Sequence, residues 1–326
     1  QACTLAPPVK FVYALLRSYF TRLKYYRQRS QRRSSKGVQA MSSMSRRQFL
    51  SLSGSAVGCV ALFSLAGCGG SSSSTADAGS GSSVAFTGPF VLGFDQEFPP
   101  YGYIGDAGQI TGFDIDLAQA VCDKEGWEFQ PTPINWDAKD AMLNSGQITC
   151  IWNGFTIEGR EDDYTFTDPY MENRQVIVTS ADSDINSLAD LAGKNVCTQT
   201  DSAAYYLLTE GGDQADLGAS FAKLDTMGDY NTAFMMLRQG TYDALAVDYP
   251  VAVFNIGDSK GFKILDEPLN SEHFAVGFQK GNDSLAHTVE ADLQQLDFEG
   301  KVEEICNKYV DQGVSYTAWC LPKVSN

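Results

Sequence analysis

The sequence predicts an α/β protein folded in two lobes with a cleft between them. Three observations carry this reading. Strand-like and helix-like segments alternate through the acidic body of the chain. Two extended apolar runs, near 176–180 and 273–278, cross between two such blocks and make the first block discontinuous in sequence. Three strands run into a polar or acidic residue, Asp95, Asn153 and Asp248. Ligands of open α/β sheets sit at the carboxyl ends of strands.

The first block opens on the strand 90–94, closed by Asp95. Over 113–125, Ile115, Ala118, Val121 and Cys122 recur at helical spacing with charges opposite. A second strand is expected at 127–130, a short helix at 138–144 and a third, buried strand at 149–152. The run 176–179 is extended and ends the block. In the second block, Ser187 caps a helical turn over 188–191 that Gly193-Lys194 closes. A strand at 196–198 and a helix over roughly 203–209 follow. Phe234-Met235-Met236-Leu237 is helical and stops at Gly240, its methionines serving the core. The strand 244–248 ends in an acid, 274–278 returns as a strand, and two helices run to about Tyr309. The expected lobes are therefore 85–179 with 273–326, and 180–272.

The 326 residues carry a formal net charge of −16, unevenly spread. The first 68 hold 11 of the 24 Lys and Arg and no acid, so the body has 13 basic against all 40 acidic residues, a net of −27. Such a body repels nucleic acid, and its acidity serves solubility. Residues 1–40, with nine Lys/Arg and no Met at position 1, are expected to be an extension absent from the mature protein. Met41 or Met44 makes an ordinary start. Ser45-Arg46-Arg47-Gln48-Phe49-Leu50 resembles a twin-arginine export motif, and the apolar run behind it closes on Leu65-Ala66-Gly67-Cys68. That order resembles a bacterial lipoprotein signal over 41–67, cut before Cys68, whose thiol then carries lipid. The alternative, a membrane-spanning helix over 49–67, is diluted by Ser51, Ser53, Gly54, Ser55, Gly58, Ser64 and Gly67. The Gly/Ser tract up to residue 84 reads as a flexible tether.

Cys122, Cys150 and Cys197 lie in apolar strings and read as small buried residues. Cys306 and Cys320 flank a Gly-containing segment and could form a disulfide outside the cell or stay as thiols; the odd number of body cysteines leaves at least one outside any pair. With His273 and His287 the only histidines, no metal site is expected, and no sequence feature asks for a cofactor. No Ser elbow or phosphate loop appears.

Gly112-Phe113-Asp114-Ile115-Asp116-Leu117-Ala118 stands among Asp95-Gln96-Glu97-Phe98-Pro99-Pro100-Tyr101, Gly154-Phe155-Thr156-Ile157 before Arg160, Phe166-Thr167-Asp168-Pro169-Tyr170, Leu188-Ala189-Asp190-Leu191-Ala192-Gly193-Lys194, and Asp243-Ala244 before Asp248. In this order, over nearly all of 88–310, the chain resembles the extracytoplasmic solute-binding proteins of the polar amino-acid family, family 3. The resemblance implies a type II periplasmic binding protein fold, each lobe a mixed sheet flanked by helices and joined by two hinge strands. It implies a monomeric receptor that is not an enzyme, with a free polar amino acid as ligand and the permease of an ABC importer as partner. Cys68 would hold it on the membrane's outer face.

The family's site maps residue by residue. Arg160 matches the arginine for the ligand carboxylate, which a guanidinium holds through two parallel bonds. Thr156 is expected to add a hydroxyl, Gly154 a closely approaching N–H, and Ser202 hydroxyl and helix-terminal amide donors. Asp248 matches the acid for the α-ammonium. Phe98 and Trp136 match the aromatic residues around the ligand side chain, Asp95 and Gln199 stand where the distal group is contacted, and Asn153, at its strand end, is a further ligand-binding candidate. Asp114 is either an assistant or purely structural. One departure is that Phe155 to Gly159 leaves Arg160 one residue nearer Gly154 than the family's spacing. The competing functions are a prephenate or arogenate dehydratase-like enzyme on the same fold, with Glu97 as its extra acid, and a ligand sensor. Against the enzyme, neither a histidine nor a lysine is expected in the cleft.

Overall fold

The computed structural model describes residues 86–323. The expected extension 1–40, signal segment 41–67, lipidated Cys68 and tether lie outside them. Two five-stranded sheets form the two lobes, with the same arrangement in each. In the first, the order is Phe129–Pro133, Phe90–Phe94, Cys150–Ile151, Gly277–Gln279, Tyr164–Phe166. In the second it is Lys223–Met227, Asn195–Gln199, Ala244–Asp248, Gln175–Ser180, Phe262–Ile264. The first three strands of each sheet are parallel, and the fourth joins antiparallel. Fully buried runs such as Ala244–Asp248, covered on both faces, suit parallel strands sandwiched by helices.

The sequence boundary at 179 is corrected here. Gln175–Ser180 pairs along its length with Ala244–Asp248 and with Phe262–Ile264, so it belongs to the second sheet. The crossing is made one step earlier, by Met171–Asn173 running antiparallel to Glu272–Phe274 in the register Asn173 to Glu272. An apolar run alone does not tell which sheet a strand joins. That is decided by partners far away in sequence. The Cys306–Cys320 bridge, left open by the sequence, is not formed: Cys306 is a thiol on the helix Lys301–Lys308, and the Cys320 thiol donates to the Pro169 carbonyl oxygen at 3.4 Å.

The helix Phe113–Glu125 shows how local sequence anchors the site. Its buried stripe is Phe113, Ile115, Leu117, Ala118, Val121 and Cys122, and Gly126 ends it in the left-handed region at φ 71°. Its start is fixed by Gly112 at φ 140°, where an added Cβ would stand 2.2 Å from the Tyr101 carbonyl oxygen. Only glycine fits this approach. Gly112→Ala is expected to cost roughly 2–4 kcal/mol of folding stability through backbone strain. Urea unfolding measures it, and a loss under about 0.5 kcal/mol, the range of a neutral surface change, would contradict the account. Buried inside the same turn, Asp114 accepts the Gly154 N–H at 2.6 Å and the Tyr170 hydroxyl at 2.8 Å. Burial still pushes its carboxyl up to about 7. Asp114 is thus a structural tie between helix and cleft floor.

Candidate functional site

The carboxyl ends of both sheets face one cleft. Asp95 follows Phe90–Phe94, Asn153 lies just past Cys150–Ile151, and Gln199 and Asp248 end their own strands. The lobes are in contact across it. Gln199 Nε2 donates to Asp95 Oδ2 at 2.5 Å, and the Asn231 amide donates to the Glu97 carboxylate. Asn153 Oδ1 accepts the Asp95 N–H at 2.9 Å and so orients that carboxylate from behind. Burial raises the Asp95 carboxyl to about 6 against the hydrogen bonds from the Glu97 N–H and Gln199, which favour the ionised form.

Three side chains of the first lobe converge on Asp201 of the second. Trp136 Nε1 and Arg160 Nη2 donate to its carbonyl oxygen at 3.2 and 3.1 Å, and the Lys139 ammonium pairs with its carboxylate, which also accepts the Tyr206 hydroxyl. Asp201 is the one non-glycine residue with positive φ, 60°, among the described residues. The expectation of a cleft without lysine is therefore corrected: Lys139 is buried there. Burial and the neighbouring Arg160 pull its ammonium down to about 8, and burial pushes Asp201 up to about 6. The Lys139–Asp201 ion pair joins the lobes. Lys139→Met is expected to loosen the closed arrangement, lowering ligand affinity roughly tenfold by reducing the closed population. Small-angle scattering would show a larger radius of gyration without ligand, and an unchanged radius together with unchanged affinity would refute this role.

Arg160 is 7% exposed, with its guanidinium 4.9 Å from the Phe155 ring and 5.5 Å from that of Tyr206. Its Nη1 donates to the Thr156 carbonyl oxygen at 3.2 Å. Among the described residues no carboxylate is ion-paired with it. Burial lowers its pKa, while the fields of Tyr164, Glu272 and Asp248 act the other way. Gly159, at φ 81° and with open space where a Cβ would stand, makes the turn before Arg160 in this shortened loop.

On the other side stands Asp248, 4% exposed, whose Oδ1 accepts from Asn173 Nδ2 and Gln175 Nε2, each at 2.7 Å. The same two nitrogens reach Glu272 Oε1 at 2.8 Å. Both carboxylates are raised by burial, Asp248 further by the Glu272 charge. Neither is ion-paired among the described residues.

Several expected donors are otherwise engaged. The Gly154 N–H goes to Asp114, and at φ 56° a Cβ here would meet the Phe98 ring at 2.9 Å, so this glycine serves packing. The Thr156 hydroxyl donates to Glu272 at 3.0 Å. Ser202 Oγ accepts the Tyr205 N–H and caps the six-residue helix Ala203–Leu208. A cavity of about 840 Å³ between the lobes is lined by Asp95, Glu97, Trp136, Asp137, Thr200 and Asp229 among others. Trp136 is part of this lining. Phe98 does not line it but packs on Tyr101 and Tyr230 with ring centroids 6.0 and 5.9 Å away. Arg160 and Asp248 are also outside its lining, shut in by the closed arrangement.

Lys139, Asp201, Asn173, Gln175 and Glu272 were not among the expected site residues. The available signal was positional: Asp201 adjoins Ser202, and Asn173 and Gln175 flank the crossing.

The sequence model of the bacterial extracellular solute-binding proteins, family 3, matches residues 90–312. The chain belongs to that family. The expected two-lobed type II fold is borne out with it. Among curated relatives of this solute-binding protein is the L-cystine-binding protein TcyA of Bacillus subtilis, 27% identical over 266 residues, 78% of this chain and 96% of that one. Among solved structures, the substrate-binding protein of an ABC uptake transporter from Streptococcus pneumoniae, with bound histidine, is 31% identical with a TM-score of 0.66, covering 70% of this chain and 94% of that one. An ancestral amino acid-binding protein, a precursor of cyclohexadienyl dehydratase, is 26% identical with a TM-score of 0.62, covering 68% and 95%.

Proposed function

We propose that this solute-binding protein captures a polar α-amino acid between its closing lobes, without turning it over, and delivers it to the permease of an ABC importer. One observation carries the reading. A buried guanidinium, Arg160, and a buried carboxylate, Asp248, each lack an ion-pair partner among the described residues, although each lies within the field of the other. Charges held this way are costly unless a ligand completes them. A zwitterion with a carboxylate for Arg160 and an ammonium for Asp248 does so. Contacts to both lobes then favour closure. Relatives named for cystine and for arginine support an amino acid as ligand. A thermal-shift screen against the twenty amino acids, ornithine, cystine and prephenate tests it, since a ligand that binds only the folded state raises the melting temperature. A shift with one or a few amino acids is expected. A response to prephenate alone would favour a dehydratase, and silence would overturn the ligand class.

We further infer export and anchoring through lipidated Cys68, and a monomer as the working unit. The signal-like order before Cys68 supports the anchor. Cys68→Ser is expected to move most of the protein from the membrane to the soluble fraction, and retention at the membrane would favour an uncleaved helix.

A further inference from the structure

We propose that Glu272 is a second carboxylate of the ammonium site, sharing one proton with Asp248 in the absence of ligand, and that binding an ammonium expels this proton to solvent. The proposal rests on the amino-acid reading above and adds a residue and a proton to it.

The geometry comes from the strand crossing. Register sets Asn173 opposite Glu272 and Gln175 opposite Asp248, so two side-chain amides stand between two carboxylates. Each amide nitrogen is 2.7 Å from Asp248 Oδ1 and 2.8 Å from Glu272 Oε1. An amide NH2 has two hydrogens, and each nitrogen spends one on each acid. Glu272 also accepts the Thr156 hydroxyl and, at Oε2, the Asn270 amide at 2.9 Å. Every donor in this cluster is neutral. The amide oxygens Asn173 Oδ1 and Gln175 Oε1 are buried without a partner, so the cluster holds more acceptors than donors. Two anions around shared amides in a low-dielectric site repel, and one proton between them relieves this. An ammonium supplies both the missing donors and the missing charge, so the proton leaves.

The surrounding groups set the balance. Arg160 favours the ionised forms, and Glu158 opposes ionisation of Glu272. Tyr101 and Tyr230 face the pair, and burial and the acids hold their phenols neutral. Glu172, Arg174 and His273 alternate to the other face of the crossing, where His273 contacts Glu158 and Arg174 lies over the Tyr249 ring. Burial outweighs the Arg160 field, since both acids are raised from their ordinary values, Asp248 the further. The ligand prefers the doubly ionised pair. Affinity therefore rises with pH while the pair titrates, about tenfold per unit.

Calorimetry at pH 7, in two buffers of unlike ionisation enthalpy, puts this to the test with L-arginine, L-histidine, L-glutamine and L-cystine as probes. About one proton released per bound ligand is expected, with less released by Glu272→Gln. Binding without proton release, or release unchanged in Glu272→Gln, overturns the sharing. If none of the four binds, the amino-acid reading fails for these probes, and infrared difference spectra of the protein without ligand decide the proton. Against an Asp248→Asn, Glu272→Gln double variant checked for folding by circular dichroism, the wild type is expected to show one extra protonated carboxyl. No extra band, or two, overturns it.

Discussion

Arg160→Ala is expected to lower amino-acid affinity by about two to nearly four orders of magnitude, the 3–5 kcal/mol typical of removing one partner of a buried charge pair. The variant would leave the ligand carboxylate in a dry site with no countercharge. Arg160→Lys is expected to recover little, since one ammonium cannot keep the bond to the Thr156 carbonyl and the bond to the Asp201 carbonyl while also gripping a carboxylate at two points. Arg160 also joins the lobes through Asp201, so part of its effect comes from lost closure. Lys139→Met separates the two contributions, because it breaks the contact with the same residue of the second lobe and leaves the guanidinium in place. Titration calorimetry of the three variants measures this. An Arg160→Ala loss no larger than that of Lys139→Met would mean that Arg160 only closes the cleft.

Strong local periodicity was legible in the sequence. The helix Phe113–Glu125 has its apolar stripe and its glycine stop, and the strand ends at Asp95, Asn153 and Asp248 were visible as polar residues terminating apolar runs. What escaped depends on partners distant in the chain. Gln175–Ser180 joins the second sheet because Ala244–Asp248 and Phe262–Ile264 lie beside it. Glu272 precedes His273 and Phe274 in a short mixed stretch that reads as a strand edge, and only the register with Asn173 shows it buried against Asp248. Lys139 sits in the expected short helix, yet a lysine there reads as solvated until Asp201 of the other lobe is brought to it. Asp201 adopts φ 60°, a conformation its residue type permits but does not announce. Thr156 and Gly154 were read as donors to a ligand, but their hydrogen bonds go to Glu272 and Asp114. Resemblance maps positions, whereas the choice of partner is settled by the acids that lie within reach.

Asp248→Asn carries the other large effect, and its signature is selectivity. Asparagine keeps an oxygen for the Asn173 and Gln175 amides, so the fold at the crossing is preserved. The charge facing the α-ammonium is lost, at about 2–3 kcal/mol for a hydrogen bond to a charged group. Analogues that lack the amino group never made that contact, and their affinity is expected to change by less than about 0.5 kcal/mol. Equal losses for an amino acid and its deaminated analogue would show that Asp248 does not bind the ammonium. Glu272 tempers the prediction in a checkable way. With the second carboxylate neutralised, Glu272 remains beside Asn173 and Gln175, raised by burial and by Glu158 but able to keep one negative charge within the cluster. The single variant is therefore expected to retain measurable binding, and the Asp248→Asn, Glu272→Gln double variant to lose it. If the second substitution adds nothing to the first, Asp248 faces the ammonium by itself and Glu272 only holds Thr156 and Asn270 in place.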